Sequence, residues 1–206
     1  MNFIISRMEE QKRNKERFNL FTEDEFLTSL SLDAVLHYGI KEGSEISEEL
    51  MDTIKKEDTV KYAKEKAMEY VAYAPRSTFQ VRQKLKQKGI DEKSIDETIS
   101  ALEYYHYVDD SEFVKEFTKS YKGRLGRRAI VQKLREKGVS PDVIEDSMEI
   151  SEEEELSSAR EQARMLISRN RGLEVQKLRQ KIYQTLTRKG YPYDIVSTIL
   201  SELEDD

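Results

Sequence analysis

Three Lys-Gly pairs in this chain, Lys88-Gly89, Lys137-Gly138 and Lys189-Gly190, have apolar residues at matching distances around each copy. Four before each glycine stand Leu85, Leu134 and Leu186, and eight before stand Val81, Ile130 and Ile182. Six after stand Ile95, Ile144 and Val196, and ten after stand Ile99, Met148 and Leu200. A spacing of four keeps residues on one face of a helix. Glycine stops a helix because it adopts the left-handed conformation cheaply. Each copy therefore predicts a helix, a glycine turn and a second helix. The glycines lie 49 and 52 residues apart, a period typical of stacked supersecondary units. The expected fold is mainly α, with three tandem three-helix units forming an elongated curved rod.

The units are placed at 58–108, 109–150 and 151–206, behind an N-terminal β-rich extension over 1–57. In that extension residues 2–8 read as a strand, EEQKRNKE as a polar turn, Arg17 to Phe21 as a second strand and Glu25 to Ser29 as a third. Together they predict a small antiparallel β meander. A short helix follows from Leu32 to Tyr38, stopped by Gly39. Lys12, Arg13, Lys15 and Arg17 either touch an acidic partner or are simply solvated. From Asp58 the chain reads as helical, with Val60, Ala63, Ala67, Tyr70 and Val71 on one face and Pro75 closing the helix.

Helix-entry signals recur. Ser77 with Gln80 fits a capping box, and Asp91 opens a helix running to about Tyr105. Either Asp109 or Asp110 can cap the helix that stacks Phe113, Phe117 and Tyr121 at i, i+4. Ser140 precedes Pro141 at a position where a first turn tolerates proline, and Ser151 precedes four glutamates that suit a helix N-terminus. GRLGRR, residues 123–128, reads as a flexible break between helices.

The chemistry of an enzyme is hard to find. The chain has no cysteine, and its two histidines, His37 and His106, lie in unrelated segments, so no metal site is expected. No Gly-x-x-x-x-Gly-Lys-Ser/Thr loop is present. The carboxylates sit in runs, as on solvated helix faces, rather than as isolated acid/base pairs. No catalysis and no cofactor are expected. No apolar run reaches the roughly 18 residues of a membrane span, and the opening MNFIISRMEE is too short and acidic for a signal peptide. A monomer in a reducing cytoplasm is expected.

Charge is segregated. Residues 140–159 hold eight carboxylates and no Lys or Arg, whereas 115–137 and 160–190 each hold nine cations against two carboxylates. The rhythm of KLKQKGIDEKSIDETI invites a helix-turn-helix reading. Its second helix, however, carries Asp91, Glu92, Asp96 and Glu97, which a DNA groove would repel. The cations lie on the preceding helix instead. A stripe of weak contacts repeated along one arm gains roughly 10²–10⁴ in affinity over a single contact. The target is then extended and acidic, either a nucleic-acid backbone or a protein surface.

RST-x(6)-L-x(3)-G at 76–89, YVDDSEF at 107–113 and GRRAIVQKLREKGV at 126–139 resemble the RecX regulatory-protein family. The likeness covers about 58–203, and the N-terminal meander is similar to the extension of Gram-positive-type members. His106 stands where that family often has glycine. The resemblance implies a protein that binds the RecA recombinase filament in its helical groove. It also implies that ATP hydrolysis, coprotease activity and strand exchange are inhibited or modulated, with single- or double-stranded DNA as a further contact. By analogy, Arg76, Arg82, Lys84 and Lys86 in the first unit are expected contact residues. Arg124, Arg127, Arg128, Lys133 and Arg135 join them in the second. Tyr104, Tyr105 and Tyr107 are expected to pack between units. The alternative is an autonomous nucleic-acid-binding helical-repeat protein with little sequence preference.

Overall fold

The apolar columns around the Lys-Gly pairs are largely buried in the computed structural model, which describes residues 2–12, 14–23 and 25–203. Leu85, Leu134 and Leu186 are fully buried, as are Val81, Ile130 and Ile182. Gly89, Gly138 and Gly190 have φ of 78°, 77° and 83°, the left-handed region where a Cβ is costly. The chain divides into two bodies, Met1–Tyr73 with Arg82–Tyr107, and Ala74–Val81 with Val108–Asp206.

The first body begins with strands β1 (Asn2–Ile4), β2 (Arg7–Gln11), β3 (Asn14–Thr22) and β4 (Glu25–Ser31). Helix α1 (Leu32–His37), strand β5 (Glu45–Ser47) and helix α2 (Glu48–Tyr73) follow. Strands β2, β3 and β4 form the expected antiparallel meander, with Phe18 opposite Leu30. Two expectations change. The first strand breaks after Ile4, and β1 pairs with β5, setting Phe3 opposite Ile46. Most of EEQKRNKE is strand rather than turn. An antiparallel sheet buries one face only, so its other face accepts charge, and the alternation there is polar on both sides. Helix α2 also starts at Glu48, well before Asp58.

Ile5, Leu20, Leu30, Ile46, Met51 and Ile54 make the core between this sheet and α2. A buried carboxylate clamps it. Asp58 accepts from Arg17 Nη2 at 2.9 Å and from the Ser31 amide at 3.1 Å, while Arg17 also donates to the Ser29 carbonyl at 2.9 Å. Arg17 is thus an internal partner, and Arg13 lies outside the described residues. Helix α3 (Thr78–Gln87) ends in this body, and α4 (Glu92–Tyr104), capped by Asp91, packs on α2.

The second body holds α5 (Asp110–Tyr121), α6 (Arg127–Glu136), α7 (Pro141–Ser147), α8 (Glu152–Arg169), α9 (Val175–Arg188) and α10 (Tyr193–Glu202). Helices α5–α7 enclose Val114, Ile130, Leu134 and Ile144, and α8–α10 enclose Ala159, Ile182, Leu186 and Ile195. Ser151 caps as expected, in a full capping box with Glu154, and Ser140 caps α7. Ser77 and Gln80 form the other box.

Two joints in this body follow one plan. The residue opening a module's second helix meets the Lys-Gly turn of the next module. Ser77 Oγ donates to the Lys137 carbonyl at 2.5 Å, and the Gly126 amide donates to the Lys189 carbonyl at 3.0 Å. One residue on, the helix amide is capped by a carboxylate from the next module's first turn. The Thr78 amide donates to Asp110 at 2.7 Å, and the Arg127 amide to Glu155 at 2.6 Å. The Asp109-Asp110 pair therefore divides its labour, since Asp109 caps its own helix through the Ser111 and Glu112 amides. Gly126 is not a flexible break. A Cβ there would lie 2.4 Å from the Tyr191 nitrogen, so glycine is required by close backbone approach.

Candidate partner-binding surfaces

The nine expected contact cations fall into different environments. On α3, Arg82 pairs with Asp96 at 2.6 Å and Glu92 at 3.3 Å, and Lys86 pairs with Glu92 at 2.6 Å. Lys84 lies 5.6 Å from the centre of the Tyr70 ring. The basic run of α3 is thus largely answered by α4 across the glycine turn. Exposed pairs of this kind contribute little to stability, but they do cancel the field that would attract an anion.

In the second body the exposed Arg127 donates from its guanidinium to the Ile150 carbonyl at 2.5 Å. Arg124 donates to the Ser120 carbonyl at 2.8 Å and lies 5.5 Å from the centre of the Tyr121 ring. Arg76 is half-buried beside α5. Arg128, Lys133 and Arg135 are exposed on α6, and their side chains form no ion pair with the described residues. Arg128 and Arg135, seven residues apart, share one side of α6, and Lys133 lies on another.

A second cationic group went unnoticed in the sequence. Burial lowers the Lys189 amine below the ordinary lysine value, and the positive charges of Arg188 and Arg169 push it the same way. It is held by Gln162 Oε1 at 2.5 Å and the Arg124 carbonyl at 3.3 Å, with no carboxylate partner among the described residues. The cue was the Lys-Gly pair itself, whose lysine reads as a turn residue until the fold brings Arg169 near it and its chain neighbour Arg188.

Tyr104, Tyr105 and Tyr107 are 78%, 67% and 54% exposed. Tyr104 and Tyr105 meet edge to face at 5.0 Å. The helix ends beneath them and His106 takes φ of 56°, so the segment turns outward. That conformation is natural to the glycine that the resemblance places there.

The described residues contain no cluster of three or more His, Cys, Asp or Glu suited to a metal ion, and no helix among them is long and apolar enough to cross a membrane. The order of elements has clear relatives. Residues 3–47 match the regulatory protein RecX N-terminal domain, and residues 63–102, 109–148 and 152–200 match its first, second and third three-helix domains. The chain belongs to the RecX family. It is 34% identical over 201 residues to the regulatory protein RecX of Clostridium botulinum strain Eklund 17B, covering 96% of this chain and 95% of that one. It is 29% identical to that of Bacillus subtilis strain 168, covering 98% and 77%.

The RecX fold is also seen in solved structures. A crystal structure of regulatory protein RecX aligns with a TM-score of 0.68 at 23% identity over 98% of each chain. RecX from Lactobacillus salivarius aligns with a TM-score of 0.67 at 25% identity, covering 72% of this chain and 99% of that one. The family is one of regulatory proteins.

Proposed function

We propose that this protein regulates the RecA recombinase by binding the RecA–DNA filament in its helical groove. Bound there, it restrains ATP hydrolysis, coprotease activity and strand exchange in recombination and repair. The observation that carries the reading is the set of exposed cations Arg128, Lys133 and Arg135, presented by a helix whose N-terminus is fastened by Gly126 and Glu155. A fastened helix holds its cations at fixed spacing, which suits a repeating acidic target. The protein acts as a monomer in the cytoplasm and uses no cofactor.

The test is a titration of RecA ATPase on single-stranded DNA. The protein lowers the rate at or below one copy per recombinase subunit, and Arg128→Glu with Lys133→Glu abolishes the effect. An unchanged rate at saturation overturns the reading. The exposed Tyr104, Tyr105 and Tyr107 favour a second reading, autonomous binding of single-stranded nucleic acid by base stacking. It predicts tight binding to DNA alone, falling steeply with salt and lost in the triple alanine variant.

A further inference from the structure

The second body contains a cleft of about 320 Å³ beside α5. Its apolar side is the ladder Phe113, Phe117 and Tyr121, with ring centres 5.8 and 4.6 Å apart. Its polar side is cationic. Arg76 enters from the segment before α3, Arg124 from the end of α5, and Lys137 from the turn after α6. Glu116 is the one carboxylate on the lining, and it leans to Lys119 at 4.0 Å. No catalytic chemistry converges here, and the size is near the lower end of ligand pockets, about 300–1,000 Å³.

The disposition of the cations selects the occupant. Arg124 already lies over Tyr121, and the Lys137 ammonium lies 5.6 Å from the centre of the Phe117 ring. Nucleobase stacking on those faces would have to displace both cations and forfeit their cation–π energy. A carboxylate needs no such displacement. Arg124 commits one nitrogen to the Ser120 carbonyl and keeps the other edge of its planar fork for an acid. Lys137 has three donors and no carboxylate partner among the described residues. The ring edges between them offer apolar contact to a neighbouring side chain.

We infer that this cleft is a docking site for a short acidic peptide segment of a protein partner, one that places a carboxylate between Arg124 and Lys137 and an apolar side chain against the Phe117–Tyr121 ladder. The cleft is also where two modules meet, since Ser77 and Lys137 are hydrogen-bonded beside it. An occupied cleft therefore braces the first joint. The assignment stands on the cleft alone and not on the recombinase reading, because peptide binding is measured without recombinase.

The test uses the full chain and a fluorescein-labelled peptide, Asp-Glu-Phe-Asp-Asp-Leu-Phe-Glu, followed by anisotropy. The peptide binds saturably with micromolar affinity. Replacing its acids with Asn and Gln weakens it at least about tenfold, as expected for lost charge-assisted hydrogen bonds. Arg124→Gln with Lys137→Gln does the same while the circular dichroism melting curve stays in place. Arg128→Gln, outside the cleft, leaves peptide affinity unaltered. Equal binding by the folded double variant, or by the neutral peptide, overturns the proposal. So does a fluorescein-labelled oligo-dT that binds the chain and loses affinity in the double variant while the acidic peptide fails to bind. Should the double variant unfold, protection of Phe117 and Tyr121 resonances by the peptide in the unaltered chain decides the matter, and no shift there overturns it.

Discussion

Helices α3 and α6 carry the same signature and meet opposite electrostatic fates. Lys86 and Arg135 both stand three residues before their module's glycine. Lys86 is paired with Glu92, three residues after Gly89. The residue three after Gly138 is Pro141, which opens α7 and carries no charge. Arg82 likewise has Asp96, whereas its counterpart before Gly138 is the apolar Val131. A run of cations along one helix is therefore not a binding face until the helix across the turn has been consulted. What the modules share is the backbone and the apolar columns, and the surface charge differs between them because it costs the fold little.

The turns differ in the same instructive way, and they give the largest expected effect. A Cβ on Gly126 meets backbone at 2.4 Å, whereas a Cβ on Gly89 meets nothing within 4 Å. Gly126→Ala costs about 3 kcal/mol through overpacking that backbone cannot relieve. Gly89→Ala costs about 1–2 kcal/mol, from its left-handed conformation alone. Urea unfolding of the two variants checks the order, and equal losses would break the contrast between a packed turn and an open one. Next comes the cap at the first joint. Asp110→Ala costs about 1–2 kcal/mol by exposing the Thr78 amide, read in the same way.

Glu155 distinguishes the second joint. Burial raises its carboxyl above the ordinary value of 4.5, against the opposing pull of the Arg127 amide and guanidinium. The folded state thus binds its proton more readily than the unfolded chain does. Its contribution to stability is fullest below that ordinary value and is lost as pH rises through the raised one. Glu155→Gln keeps an acceptor for the Arg127 amide and removes the titration. The difference in unfolding free energy between parent and variant should change with pH from about pH 4.5 upward and level off once Glu155 is ionised. A flat difference would show that the site is as well solvated as an open surface.

The smallest effect tests the charge comparison directly. Pro141→Glu places a carboxylate opposite Arg135 and should weaken partner binding about two- to fivefold, the size of an exposed pair. Glu92→Gln releases Lys86 and should strengthen it by a comparable or lesser factor. Both are measured as the midpoint of the recombinase ATPase titration. Opposite signs sharpen the comparison, and no response to either breaks it.

Much of this fold could be read before any coordinates. The buried columns, the left-handed glycines, the capping boxes at Ser77 and Ser151, and the Phe113–Tyr121 ladder are local patterns with periods of three and four. The β1–β5 pair was not legible, because Phe3 and Ile46 are joined by no turn and their strands are three residues each. Nor was the early start of α2, whose first turns are acidic and lack a simple apolar stripe. Of the nine expected contact residues, Arg128, Lys133 and Arg135 on α6 are exposed. Arg82, Lys86 and Arg127 turned to partners within their own bodies.

The amino-acid order alone determined where most of the helices begin and stop and which residues face inward, because caps, glycine turns and periodic burial act within about a dozen residues. Tertiary structure alone decided that Asp110 and Glu155 cap a neighbouring module, that Gly126 is a contact rather than a hinge, and which cations stay unanswered. Those outcomes depend on distances between groups far apart in the chain. Electrostatic and steric interactions act through space, and no periodicity records who will be opposite whom.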